Sequence, residues 1–353
     1  EELASTVAEQ DDGLDNEEAL LERWDGRPDL FIEDVFRVRD LNTKEIEELE
    51  LTGYQRQFIH ALWYGDASTV SVLKGRRTGY SFVACLTILA YALLNPHSFI
   101  AITGPSKSQA KDRINDIYDL IDWSKLNLTE DSLPINNRDE IELPNGSRVK
   151  AYTGDPDSAR GDDAPKSVFI DEMAFLEDQS ATLDAYLPTI SLGSAQMVQV
   201  STPKASNDEF LNTNEAGTAD GKNDRGVLAL KQPTFENADE IDTDISLFEQ
   251  DVQPIRPDFD LMAAETQRAS DPNGFSQEYL CNPVSDEYRF FSMGTIEEAQ
   301  ERGSSPEVDY GLREYETTNA IVMAVDIGFN SDDTAIKFGN TPVLAGICVI
   351  TDS

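Results

Sequence analysis

The sequence predicts an α/β fold in which a mostly parallel central sheet is flanked by helices. Two observations lead there. Short apolar runs at residues 70–73, 98–103, 167–170 and 197–200 have the length of strands. Segments of helical length and spacing lie between them, and strand–helix alternation builds a parallel sheet with helices on both faces.

In chain order, residues 1–22 hold many acids and no base, and read as a loosely ordered segment with a helix over 16–24. Residues 29–40 read as an extended or short helical lead-in, and 43–51 as an acidic helix. Residues 51–62 are amphipathic at helical spacing. Strand 70–73 leads through a glycine turn into an apolar helix, 82–94, which stops at Asn95-Pro96. After strand 98–103, a helix over 106–121 aligns Ile114, Ile117, Leu120 and Ile121 on one side. A hairpin follows, turning at Asn145-Gly146. Strand 167–170, a helix over 181–187 and strand 197–200 complete the alternation. Residues 212–224 read as an exposed loop and 236–253 as an acidic, proline-bounded stretch. Helices are expected over 258–269 and 272–280, and a new β run starts at Ala320. The domain organisation that follows is an acidic extension (1–39), an α/β domain (40–285), a linker (286–318) and the opening of a further domain (319–353).

The charge is extreme. There are 67 Asp+Glu against 28 Lys+Arg, a net charge of −39, spread along the whole chain. Such a protein repels itself in dilute buffer, whereas in molar salt the Debye length falls to about 3 Å and the repulsion is screened. A high-salt cytoplasm is the expected setting. Cys85, Cys281 and Cys348 have neither metal nor redox spacing, which argues against a disulfide framework. No apolar run reaches the roughly 18 residues of a membrane span and no signal peptide opens the chain, so a soluble intracellular protein without membrane contact is expected.

The glycine turn runs Lys74-Gly75-Arg76-Arg77-Thr78-Gly79-Tyr80-Ser81. Strand, glycine turn and helix are the setting of a phosphate-binding loop, where backbone N–H groups and a helix N-terminus face an anion. The usual pattern is G-x-x-x-x-G-K-[ST]. Here Lys74 stands at the first position and Tyr80 at the penultimate one. Lys74, Arg76 and Arg77 bring cations from the start of the loop, and Ser81 keeps the hydroxyl that would hold Mg²⁺. The competing reading is a basic turn before a core helix. Further on, strand 167–170 ends in Asp171-Glu172. The first carboxylate suits Mg²⁺ and the second suits a polarised water; an acidic turn after a strand is the plain alternative. Ser201-Thr202-Pro203 ends another strand, where small hydroxyls can sense a γ-phosphate; an ordinary strand-terminating turn is the plain alternative. Gln55, beside Tyr54, carries an amide able to read adenine. Arg160, in an acidic loop, is a candidate arginine finger.

This ordered set resembles the large subunit of the terminase, the genome-packaging motor of tailed viruses. Leu51-Thr-Gly-Tyr-Gln-Arg56 resembles its adenine motif, and Lys74–Ser81 its variant Walker A loop, in which some members carry the lysine first and Gly-Tyr-Ser last. Ser158-Ala-Arg-Gly161 with Val168-Phe-Ile-Asp-Glu172 resembles its arginine segment and Walker B strand. Ser201-Thr-Pro203 resembles its coupling motif, and residues 275–280 the segment that closes its ATPase region. The resemblance covers roughly 50–340. It implies a P-loop NTPase using ATP and Mg²⁺, with Lys74, Gly75, Arg76, Arg77, Thr78, Gly79, Tyr80 and Ser81 around the phosphates, Ser81 and Asp171 on Mg²⁺, Glu172 activating water, Arg160 reaching a neighbouring subunit, and Ser201, Thr202 and Pro203 coupling. Hydrolysis would drive double-stranded DNA into a procapsid, with the portal protein, the terminase small subunit and further copies of the chain in a ring as partners, in a high-salt host cytoplasm and transiently on the procapsid. A halophilic archaeon is the implied host.

The family also carries an RNase H-like nuclease that uses two metal ions. Val325-Asp326-Ile327-Gly328 resembles its first metal strand, with Asp326 as the Mg²⁺ carboxylate. The expectation is a truncated start of that domain, without cleavage activity of its own. Lys107, Lys111, Arg113, Arg148 and Lys150 are candidate DNA backbone contacts, although a solvated face is the plainer explanation of each. Two other functions compete: a helicase-like translocase, and a nucleotide-binding scaffold that lost turnover along with the lysine at position 80.

Overall fold

A computed structural model describes residues 2–10, 17–40, 43–152, 165–190, 195–204, 208–283, 321–326, 334–340 and 343–350. The chain divides into two compact units, Glu1–Val284 and Ser285–Ser353.

The first unit opens with helices α1 (Glu2–Gln10), α2 (Glu17–Trp24) and α3 (Pro28–Val35). Ala4 and Val7, three residues apart on α1, are fully buried, so residues 2–10 form a packed helix where the sequence reading expected a loose segment. The expected acidic helix at 43–51 is also corrected. Strands β1 (Arg37–Arg39) and β2 (Ile46–Glu48) pair antiparallel there. A helix would align Glu45 with Glu48 and Glu47 with Glu50, which repel. In the strand, Glu48 instead meets Arg37 at 3.2 Å and Lys125 at 2.8 Å.

The remaining elements are α4 (Gly53–Tyr64), β3 (Thr69–Lys74), α5 (Tyr80–Leu94), β4 (Phe99–Thr103), α6 (Lys107–Trp123), β5 (Ile135–Asn137), β6 (Glu140–Glu142), β7 (Arg148–Ala151), β8 (Ser167–Asp171), α7 (Gln179–Ile190), β9 (Gln196–Ser201), α8 (Glu209–Glu215), β10 (Val227–Gln232), α9 (Leu261–Ser270) and α10 (Pro272–Leu280). An eight-stranded sheet has the order β10-β3-β9-β8-β4-β7-β6-β5. Strands β10 to β7 in that order are parallel, and β6 and β5 fold back as antiparallel edge strands. The parallel α/β architecture expected from the alternation is therefore present.

Strand β10 and helix α8 were not anticipated. The polar run Asn212-Thr-Asn-Glu215 reads as a loop, yet Asn214 is buried. Its amide donates to the carbonyls of Ser71 and Leu230 at 2.9 and 3.3 Å, which satisfies it and locks α8 onto the sheet.

Two apolar clusters cover the two faces of the sheet. One packs α3 to α6 against Val70, Val72, Ile100, Phe169 and Val198; the other packs α7 and α8 against Leu73, Ala101, Val168, Ile170 and Met197. A third cluster, around Phe235, Phe275 and Tyr279, gives residues 233–283 a small core of their own. The C-terminal ends of the central strands coincide. Leu73 lies opposite Ser201, and Asp171 opposite Val200. Ligands bind at this carboxyl edge in open parallel sheets.

The second unit is a three-stranded antiparallel sheet in the order β11 (Ile321–Asp326), β12 (Thr334–Asn340), β13 (Val343–Ile350). The expected linker, 286–318, lies outside the described residues. Among the described residues no helix is long and apolar enough to cross a membrane.

Candidate functional site

The loop between β3 and α5 is held from outside. The Gly75 N–H donates to the carbonyl of Gln232 (2.8 Å), and the Arg76 N–H to that of Glu278 (2.7 Å). The Thr234 hydroxyl donates to the Arg76 carbonyl, and the Thr78 hydroxyl to the Gly75 carbonyl. Gly75 is required by close approach: a Cβ there would stand 2.4 Å from Thr234 Oγ1 and 2.9 Å from the Tyr279 carbonyl oxygen. Gly79 is required by its φ of 82° immediately before α5. Arg77 also adopts a left-handed backbone, with φ 62°. Among the described residues, the N–H groups of Arg77 to Ser81 donate no hydrogen bond. They cap the N-terminus of α5 and form an anion-binding end.

Four side chains meet at the carboxyl edge of the sheet. Lys74 Nζ donates to Glu172 Oε1 at 2.7 Å, and Ser81 Oγ to Asp171 Oδ1 at 2.8 Å. Lys74 and Asp171 are buried. Glu172 takes a left-handed backbone (φ 51°, ψ 47°) as the chain leaves β8. Ser201 Oγ lies 3.4 Å from Glu172 Oε2 and donates to the Thr202 carbonyl. Thr202 is buried beside it. Burial pushes the Asp171 carboxyl up, and the nearby Arg113 guanidinium opposes that shift.

The other sequence-selected residues fall into place differently. Tyr80 carries no polar role: it is 2 % exposed, wedged between Tyr54 (ring centroids 5.6 Å apart) and Phe58 (5.2 Å). Arg76 is engaged away from Glu172, its Nε 2.8 Å from Glu278 Oε2 on α10. Gln55 closes a capping box on α4, its Oε1 accepting the Thr52 N–H at 2.9 Å. Its Nε2 points at Gly79, 3.1 Å from where a Cβ would be. The Tyr54 hydroxyl donates to the Thr78 carbonyl at 2.7 Å. Arg160 lies outside the described residues. Asp326 is the last residue of β11, opposite Ala335.

The proposed DNA-facing cations need correction. Arg113 points into the protein, its Nη1 3.7 Å from Asp171 Oδ2 and its Nε 3.2 Å from Asp116. Lys111 and Lys107 share Asp139, and Arg148 pairs with Glu140 and covers the Phe99 ring. Lys150 covers Tyr152. In so acidic a chain each of these cations has an acid or an aromatic face nearby. Thr234, Glu278 and Arg256 were missed, since all three come from residues 233–283, distant in sequence from the loop they touch. The one signal in that stretch is the stiff Pro254-Ile-Arg-Pro257, which sets a cation between two prolines.

Hard oxygen donors at Ser81 and Asp171 suit Mg²⁺, which needs only one or two protein ligands when phosphates and waters supply the rest. No group of three or more His, Cys, Asp or Glu side chains placed to hold a metal ion occurs among the described residues.

Residues 72–297 match the sequence profile of a family described as terminase large subunit, T4likevirus-type, N-terminal. Solved structures with similar chains include the ATPase domain of the large terminase of Thermus phage P74-26, at 16 % identity over 67 % of this chain and 94 % of that one, with a TM-score of 0.47. The large terminase of bacteriophage HK97 matches at 17 % identity over 92 % of this chain and 66 % of that one, with a TM-score of 0.53. That of a thermophilic bacteriophage, solved with ATP-gamma-S, matches at 12 % identity over 82 % and 64 %, with a TM-score of 0.48. The likeness to the HK97 protein is one of fold. The chain thus spans about two thirds of the whole large terminases it matches.

Proposed function

The chain belongs to the family of terminase large-subunit N-terminal domains, and from that membership we propose that it hydrolyses ATP to drive double-stranded DNA into a viral procapsid. The observation that carries this reading is the quartet at the carboxyl edge: Lys74 on Glu172 and Ser81 on Asp171, beside a row of undonated loop N–H groups.

In this reading the loop N–H groups and the N-terminus of α5 receive the phosphates. Lys74 leaves Glu172 for the β- and γ-phosphate oxygens, supplying from the start of the loop the charge that position 80 lacks. Glu172, released, accepts a proton from the attacking water. Ser81 and Asp171 would hold Mg²⁺, which would neutralise charge developing on the phosphates. Ser201, hydrogen-bonding distance from Glu172, reports the state of that carboxylate to the strand end at Thr202-Pro203. Gln55 meets the base through Nε2. Arg76 joins the phosphates only by giving up Glu278, so Lys74 is the principal cation; Arg77 and Thr78 line the loop. Arg160 acts as an arginine finger toward the next subunit of a homo-oligomeric ring. The portal protein and the terminase small subunit are the further partners, on the procapsid in the cytoplasm of a halophilic host.

A nuclease reading of the second unit rests on Asp326, which ends the first strand of an antiparallel sheet as a first metal carboxylate would.

The decisive experiment is ATP turnover and binding in about molar KCl. Glu172→Gln is expected to bind ATP but lose at least about 100-fold in turnover. Lys74→Ala is expected to lose both. A Glu172→Gln protein as active as wild type overturns the assignment, and a wild type that binds without turnover favours the scaffold function.

A further inference from the structure

Arg256 reaches the phosphate loop from residues 233–283. A Cβ on Gly79 would stand 3.6 Å from its Nη1 and 3.1 Å from Gln55 Nε2. Two planar polar groups, one from α4 and one from the segment before α9, therefore converge on Gly79, the N-cap of α5, where a side chain would crowd both.

The guanidinium is held in place. Its Nε and Nη2 form a fork with the Asp258 carboxylate at 2.9 and 2.5 Å. The backbone beneath is pinned by the Ile255 N–H donating to the Thr234 carbonyl and by prolines 254 and 257. The same Thr234 holds the Arg76 carbonyl, so the arginine is built into the support of the loop. Nη1 is the nitrogen left outside the fork, and it makes no hydrogen bond among the described residues. Tyr54, the aromatic next to Gln55 in sequence, is already committed: its hydroxyl donates to the Thr78 carbonyl and its ring packs on Tyr80. Arg256 is the remaining planar group at Gly79.

We propose that Arg256 is a nucleotide-base residue whose guanidinium plane stacks on the purine ring, with Gln55 at the ring edge and Asp258 as its positioning residue. The proposal rests on the reading of this loop as an ATP site. A guanidinium face attracts any base π-system, so the contact adds affinity without choosing between adenine and guanine. The alternative for an arginine at this distance is a phosphate contact, which predicts a different pattern of loss.

The test is binding of ATP, GTP and inorganic tripolyphosphate to the full chain in about molar KCl, each measured by displacement of a fluorescent ATP analogue. Arg256→Ala is expected to weaken ATP and GTP alike by about tenfold and to leave tripolyphosphate unchanged. Arg256→Lys keeps the charge and tests the plane; it is expected to stay within about threefold of the alanine variant, because an ammonium offers no flat face. Unchanged ATP affinity in Arg256→Ala overturns the proposal. So does an equal loss of tripolyphosphate affinity, which would make Arg256 a phosphate ligand, and so does full recovery in Arg256→Lys. A wild type that binds neither ATP nor tripolyphosphate overturns the ATP-site reading itself. A wild type that binds tripolyphosphate as tightly as ATP leaves that reading standing and removes only the base contact.

Discussion

Lys74 and Glu172 are separated by 98 residues of chain and by 2.7 Å in space. The pairing spares the buried Lys74 the cost of an uncompensated charge, while the Glu172 side chain keeps part of its surface exposed. In the proposed reaction the pair would have to open before Glu172 could act on water. Gly75, next to Lys74, has a simpler and harsher requirement. Because Thr234 and the Tyr279 carbonyl close over it, Gly75→Ala is expected to cost about 1–3 kcal/mol by overpacking. A lowered Tm together with lost ATP binding would be the measured result; a variant with wild-type Tm would mean that the loop yields more easily than the geometry allows. At this scale the sequence shows the residue types and their order, but not their pairing. Arg76 and Arg77 are equivalent to Lys74 as charges, and only the contacts separate Lys74, on Glu172, from Arg76, on Glu278.

At the scale of elements, α4 carries Gln55, the residue proposed for the base, and is anchored by α3. Asp29, nearly fully buried, receives Arg27, Arg56 and His60, while Glu33 receives Arg56 and the Leu51 N–H. Burial alone would raise the Asp29 carboxyl. The hydrogen bonds from Arg27, His60 and Arg56 outweigh it and hold the group well below the usual carboxylate range. A carboxylate depressed on folding adds stability above its unfolded pKa of about 4 and loses it as pH falls toward the folded value. Asp29→Asn is therefore expected to melt several degrees lower at pH 7 and to show a shallower fall in Tm below about pH 4. Parallel acid limbs for the two proteins would exclude Asp29 as a source of acid lability. The strands β3, β4, β8 and β9 and the helix α5 were legible because burial writes itself as apolar runs. Strand β2 and helix α8 were not. Their residues are polar, and their conformations are decided by partners elsewhere: Arg37 and Lys125 for Glu48, and the Ser71 and Leu230 carbonyls for Asn214.

Over the whole molecule, the net charge of −39 makes a salt-dependent stability the expected behaviour. At an ionic strength of about 0.01 M the Debye length is about 30 Å and like charges across the domain repel, whereas near 1 M it is about 3 Å. The Tm is expected to rise by more than about 10 °C between dilute buffer and molar KCl, with ATP turnover following it; a Tm that is flat or falls with KCl would remove the high-salt reading. Lys111, Lys107, Arg113 and Arg148 each pair with an acid of the chain, so any contact they made with DNA phosphates would compete with those pairs and would weaken with salt.

What the sequence alone determined is the parallel α/β architecture, the glycine turn between β3 and α5, the two acids after β8 and the family, because these are local: a buried strand, a glycine turn and a carboxylate at a strand end are each visible in a few consecutive residues. Only the tertiary structure decided which cation faces Glu172, that Tyr80 is core, that Arg113 backs Asp171, and that Thr234, Arg256 and Glu278 gather round the loop. Those assignments depend on distances between segments up to about 200 residues apart, set by how the sheet stacks its strands and how residues 233–283 fold over their edge.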